Sequence, residues 1–168
     1  MLLPYRKIMP TIGDKVFIAE NAAVIGDTHI GEESNIWFGC SVRGDVHEIR
    51  IGKRTNIQDN CVIHVTRGVS GTYIGDEVTV GHGAILHACT IGNQAFVGMG
   101  ACILDEAVLE DRAMLAAGSL LTPRKVVPSG QLWGGSPARY MRHLTEEELA
   151  FFPKSADNYV RLAAEYLA

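Results

Sequence analysis

The sequence predicts an all-β solenoid of six-residue repeats, followed by a helical segment. Three observations carry this. Apolar residues recur every six positions from near Ile12 to near Leu121. The fifth place of each unit is nearly always small. The second place is often glycine. A period of six suits neither a helix, at 3.6, nor one long strand, at 2. It suits a chain that turns a corner every six residues. Three units then close one triangular coil, and coils stack by parallel backbone pairing about 4.8 Å apart.

The series opens with Ile12, Ile18, Val24, Ile30, Ile36 and Val42. It resumes at Ile51, Ile57 and Ile63, and again at Ile74, Val80 and Leu86. It ends with Ile91, Val97, Ile103, Leu109, Leu115 and Leu121. Each opening residue fills a corner of the interior, and the small fifth residue fits where the chain bends inward. Glycine, asparagine and aspartate near corners allow unusual backbone angles and close approach. Eighteen units predict about six coils, a prism on the order of 29 Å long.

Three breaks interrupt the period. The step at Val46–Arg50 is small. The Gly-rich stretch Thr66–Tyr73 must bulge outward, and such breaks often map to a binding face. One residue is missing between Leu86 and Ile91, beside His87, and the shortened corner re-aims that side chain. Beyond Thr122 the repeat fades into a Pro-rich extended cap over about 122–144. Thr145-Glu146-Glu147-Glu148 is a capping box that starts a short helix. Pro153 interrupts or bends it, and a second helical run follows over about Ser155–Leu167. The whole of 1–168 is expected to form one domain, with the β-helix over about 12–121 and the helical segment over about 145–167.

The formal net charge of −4 gives no support to nucleic-acid binding or to attraction by an anionic membrane. No window is apolar enough to span a bilayer, and the N-terminal MLLPYRKIMP lacks the apolar core of a signal peptide. Charged residues are sparse at 20 %, which suggests surface buried between subunits. Cys40, Cys61, Cys89 and Cys102 form no CxxC pair and read as buried free thiols in a reducing, cytoplasmic compartment.

The candidate chemistry lies with three histidines. His64 and His87 hold the second place of their units, directly after an inward residue, so both point outward. Their spacing of 23 residues is nearly one coil plus the loop insertion, which stacks them in adjacent coils on one face. His82 holds the third place of its unit, near a different corner, and meets the pair only if it comes from a neighbouring prism. Three neutral imidazoles suit Zn²⁺ and leave a fourth position open, the catalytic rather than structural pattern. His29, His47 and His143 are isolated and read as surface residues. Arg43, Asp45, Asn56, Gln58 and Asp59 surround the same face. Asp45 and Asp59 suit orientation of an arginine or an imidazole, and Arg43–Asp59 equally suits an ordinary ion pair. Gln58 suits either a bond to metal-held solvent or a coil-to-coil hydrogen bond.

SVRGD at 41–45, TNIQDNCVIH at 55–64, VGHGAILHACTIG at 80–92, VGMGA at 97–101 and GSPARYMR at 135–142 together resemble the gamma-class carbonic anhydrase family and its bacterial hexapeptide-repeat relatives. The resemblance spans almost the whole chain. It implies a left-handed parallel β-helix, a homotrimer with metal between subunits, and a C-terminal helix packed outside. It implies Zn²⁺, or Fe²⁺ or Co²⁺, held by His64 and His87 of one subunit and His82 of the next. It further implies an Arg43–Asp59 pair between subunits with Asp45 in the same network, Asn56 and Gln58 near the bound solvent, and Tyr159 approaching from the C-terminal segment. The implied reaction is reversible hydration of CO₂ to bicarbonate. Two glutamates of the archaeal members, one of them in a loop thought to pass protons to solvent, are replaced here by Val46 and Arg67. Glu48, Tyr73 and Tyr159 are the candidate helpers. Two other functions stay open: a metal-bearing scaffold or assembly protein with little activity, and a hexapeptide-repeat acyltransferase, which needs one base and a long cofactor cavity rather than three converging histidines.

Overall fold

The structure, a computed structural model, describes residues 1–168. The chain winds as a left-handed parallel β-helix of about seven turns, with one C-terminal α-helix packed alongside. On the first face the strands run from Phe17–Ile18 through Asn35–Ile36, Asn56–Ile57, Thr79–Val80, Phe96–Val97 and Met114–Leu115 to Gln131–Gly135. The second face carries Val62–His64, Ile85–His87, Cys102–Ile103 and Leu120–Leu121. The third carries Thr72–Ile74, Thr90–Ile91, Val108–Leu109 and Val126–Val127. Early in the chain, Ala23–Ile30 and Ser41–Ile51 each round the corner between the second and third faces as one continuous strand. The break at Val46–Arg50 therefore lies inside a strand.

The registers explain the six-residue period. Val24, Val42, Ile63, Leu86, Ile103 and Leu121 stack in one inward column, and all are fully buried. At the fifth place Ala22, Cys40, Cys61, Ala84, Ala101 and Ser119 are buried where the chain turns.

The corners differ from the expectation in one respect. Left-handed backbone falls on the fourth place, and at one corner it is carried by Glu33, Arg54, Glu77, Gln94 and Arg112, with φ between 52° and 57°. Such residues resist this conformation by roughly 1–2 kcal/mol each. Their stacked side chains offset the cost. Arg54 donates to Glu33 at 2.7 Å and to Asp157 of the helix at 2.9 Å, and Gln94 donates to Glu77 at 2.7 Å. The second-place glycines serve close approach instead. Gly31, Gly52 and Gly75 have ordinary φ, but a Cβ on any of them would run into the next coil.

Two boundaries move. The solenoid continues beyond Leu121: Val126 pairs with Val108, and Leu132 with Met114. This adds a turn to the expected six. The segment expected as an extended cap closes the top as an antiparallel hairpin, Gln131–Gly135 with Ala138–His143. Pro123 and Pro128 fall at corners that the six-residue spacing tolerates, so they mask the repeat without ending it, while Pro137 sits in the turn of the hairpin. The two expected helical runs are one helix, Glu146–Leu167, with Pro153 inside. Proline removes one intrahelical bond, but docking of Phe152, Ser155, Ala156 and Ala163 holds the helix together. Ser155 and Thr79 exchange a hydrogen bond at 3.0 Å.

The capping box is formed as expected: Thr145 accepts from the Glu148 amide, and Glu148 accepts from the Thr145 amide. Arg142 above all, then the Thr145 amide, holds the Glu148 carboxyl at about 2 instead of its ordinary 4.5. A depressed folded value gives stabilisation that is complete above the ordinary value and lost as pH falls toward the folded one. The first turn of the helix is therefore expected to loosen between pH 4.5 and 2. Amide exchange of residues 146–152 measures this, and protection that stays constant through that window would contradict it.

No helix is long and apolar enough to cross a membrane. Cys40, Cys61 and Cys89 are buried free thiols, while Cys102 is partly exposed. Burial pushes Cys89 up to about 12.

Candidate metal centre

His64 and His87 stand in register on neighbouring rungs of the second face. Ile63 and Leu86 point inward beside them and are fully buried, so strand alternation turns both imidazoles outward. Thr90 follows His87 so closely because Ala88, with φ 50°, turns the corner early. His64 Nδ1 lies 3.3 Å from His87 Nε2. The outer nitrogens meet carboxylates: His64 Nε2 is 3.1 Å from Asp45 and His87 Nδ1 is 2.7 Å from Asp105.

The carboxylates decide the tautomers. An ionised carboxylate only accepts hydrogen bonds, so His64 carries its hydrogen on Nε2 and His87 on Nδ1. The remaining lone pairs face one another across 3.3 Å. Two lone pairs at that distance repel unless a proton or a cation stands between them. The separation is also about what two imidazoles show when each binds one tetrahedral ion at about 2.0–2.1 Å. The donor set therefore fits a divalent ion. Burial alone pushes Asp45 up, but bonds from His64, Arg43 and the Val46 amide outweigh it and hold its carboxyl below the usual range. Asp105 is likewise raised by burial and lowered more strongly by Thr66 and His87.

His82 sits at the opposite corner of the same face. It precedes His87 by five positions, with the turn at Gly83 (φ 70°) and the strand Ile85–His87 between them. Its Nδ1 lies 2.9 Å from Asp59. Within one chain no three His, Cys, Asp or Glu side chains converge as an ion's ligands. Gln58 and Asn56 lie on the His82 side and are buried. Gln58 accepts from the His82 amide at 3.2 Å and donates to Asn56 at 3.0 Å; Asn56 donates to Thr79 at 3.0 Å. Tyr159 belongs to the same side. Its ring packs edge-on against Trp37 at 5.5 Å, and burial, with the Asp59 charge adding to it, raises its pKa. Arg43 belongs to the other side, where it pairs with Asp45.

The site residues thus fall into two sets, one at each corner of the second face: Arg43, Asp45, His64 and His87, and Asn56, Gln58, Asp59, His82 and Tyr159. Glu48 and Tyr73 lie beyond Asp45, where Glu48 accepts from Tyr73 at 3.0 Å and pairs with Arg50 at 2.6 Å. Sequence reasoning missed Asp105. Its signal was the 18-residue offset from His87, one regular coil.

The fold and the paired histidines define a class: hexapeptide-repeat proteins with an outward imidazole ladder. The family model described as bacterial transferase hexapeptide (six repeats) matches residues 9–44. The chain is 52 % identical over 159 residues to "Gamma carbonic anhydrase 2, mitochondrial" of Arabidopsis thaliana, covering 92 % of this chain and 57 % of that protein. It is 40 % identical to "Carbonic anhydrase" of Geobacillus kaustophilus, covering 100 % and 92 %. A solved hexapeptide transferase family protein from Anaplasma phagocytophilum superposes with a TM-score of 0.96 at 52 % identity, covering 99 % and 98 %. The chain belongs to the hexapeptide-repeat, gamma carbonic anhydrase-like superfamily. It spans little more than half the length of the plant relatives it matches.

Proposed function

We propose that this chain is the subunit of a homotrimeric, metal-dependent enzyme that reversibly hydrates CO₂ to bicarbonate. The observation that carries the reading is the facing of His64 Nδ1 and His87 Nε2, with each outer nitrogen on a carboxylate. His82 of a neighbouring copy completes the ligand set for Zn²⁺, Fe²⁺ or Co²⁺. The two half-sites occupy opposite corners of one face, so a head-to-tail contact brings them together, and with a rotation of one-third of a turn such a contact closes into a ring of three. Between the corners, Val62 and Ile85 stack in register and are exposed in the isolated chain. Burying them between copies favours the same contact.

When bound, a divalent ion supplies hydroxide at neutral pH by lowering the pKa of water from 15.7 toward about 7. The chain's own residues do the rest. Asp45 orients His64, and Arg43 neutralises Asp45 and stands free to meet Asp59 of the neighbour. Gln58 has one amide hydrogen left after its bond to Asn56, and that hydrogen holds the attacking oxygen in line. Tyr159 closes the His82 side against water. Val46 and Arg67 replace the two relay glutamates that the resemblance implies, and Glu48 is held by Tyr73 and Arg50, so proton release is slow. The rate of CO₂ hydration is expected to rise with imidazole concentration, and a rate independent of buffer would contradict a missing relay.

Elemental analysis combined with native mass tests the assembly. The wild type is expected to be a trimer with three ions, and His82→Ala to lose them. Ions retained by His82→Ala would refute the shared site. The absent relay also favours a second reading, a metal-bearing scaffold with little activity. A metal-replete trimer that stays inactive on CO₂ in buffered, reducing solution would establish it. A wild type without metal would favour acyl transfer.

A further inference from the structure

We propose that Asp105 is a positioning residue for the candidate ion site: together with Thr66 it fixes the His87 ring so that Nε2 faces His64, and it ties the 66–73 loop to that ring. This rests on the reading of His64 and His87 as ion ligands. Asp105 Oδ1 accepts from His87 Nδ1 at 2.7 Å, and Asp105 Oδ2 accepts from the Thr66 hydroxyl at 2.5 Å. Each carboxylate oxygen therefore has one partner, and the plane of the carboxylate cannot turn without losing one of them.

The arrangement is symmetrical about the histidine pair. Asp45 holds His64 from the rung below, and Asp105 holds His87 from the rung above. Without Asp105 no other group selects the Nδ1–H tautomer of His87, and its Nε2 lone pair is no longer directed at His64. The loop enters through Thr66, whose amide and carbonyl bridge to Ser70. At the loop's other end the Thr72 hydroxyl donates to the His64 carbonyl at 2.6 Å. Both ends of the excursion are thus stapled to the histidine ladder, one through a side chain and one through the backbone. Ring orientation and loop position become one property.

Two measurements on the full chain test this. Long-range ¹H–¹⁵N spectra of metal-free protein read the His87 tautomer directly. Competition with a chelator reads the affinity for Co²⁺. The wild type is expected to show His87 protonated at Nδ1 and to bind one Co²⁺ per chain. Asp105→Ala is expected to lose the Nδ1–H form and to bind Co²⁺ about 10- to 100-fold more weakly. Thr66→Val keeps the carboxylate and is expected to give a mixed tautomer with a smaller loss, about 3- to 10-fold. It carries the test if Asp105→Ala does not fold. An unchanged tautomer and unchanged Co²⁺ affinity in folded variants would overturn the proposal while leaving the ion site standing. A wild type that binds no Co²⁺ would overturn the ion-site reading instead, and the metal-free tautomer would still decide whether Asp105 orients His87.

Discussion

His87→Ala is expected to remove ion binding and to bring CO₂ hydration down to the uncatalysed rate, while the folded prism survives. The side chain is one-third exposed and points away from the core. Its loss leaves Asp105 with Thr66 as a remaining partner, at a cost of about 1 kcal/mol that the prism tolerates. The function, in contrast, depends on it entirely in this reading. Without its Nε2, His64 is left alone on its face, and His82 of a neighbour brings the set only to two. Two imidazoles do not make the three-ligand arrangement of a catalytic zinc site, and without the ion no group here supplies hydroxide at neutral pH. Elemental analysis, stopped-flow hydration and a thermal melt read the three parts separately. Full ion content in a folded His87→Ala protein would refute His87 as a ligand. Loss of ion together with collapse of the melt would show that the residue is structural.

Much of the fold was readable because each solenoid rung repeats one local problem. Ile63, Leu86 and Ile103 hold equivalent places, and each must fill the same corner. A pattern of six survives even when one unit is irregular. The stacking of His64 on His87 followed from the same periodicity. What the period could not show was whatever depends on side-chain length or on covering elements. Arg54 and Glu77 hold left-handed corners through an ion-pair ladder that the period alone does not reveal. Gln58 held an outward place in the repeat, yet the structure buries it beneath neighbouring groups. Pro123 and Pro128 suggested an end to the repeat, although proline at a corner leaves the strand pairing of Val126–Val127 intact. Asp105 escaped notice because its role depends on reaching one rung down, a contact visible only once the coils are stacked in register.

Gly52→Ala is expected to damage the scaffold severely, costing about 3 kcal/mol. A methyl group there would lie 2.6 Å from both the carbonyl carbon and the carbonyl oxygen of Gly75, and would also strike the Asp76 carboxylate. The obstacle is mostly backbone, which cannot swing aside as a side chain would. The rungs are also fixed in height by their hydrogen bonds: the Gly52 amide donates to Ile74 at 2.8 Å, and the Gly75 amide to Ile91 at 2.8 Å. Admitting the methyl means parting two rungs and stretching those bonds, and the strain spreads up a stack in which each rung rests on the last. Gly118→Ala provides the control. Gly118 has φ 66° and open space around it, so the same methyl meets only the left-handed backbone cost of roughly 1–2 kcal/mol. For a chain of this size the melting temperature is expected to fall by about 6–12 °C for Gly52→Ala and about 2–8 °C for Gly118→Ala. If Gly118→Ala proved the more destabilising of the two, close approach of the coils would not be what the second-place glycines provide.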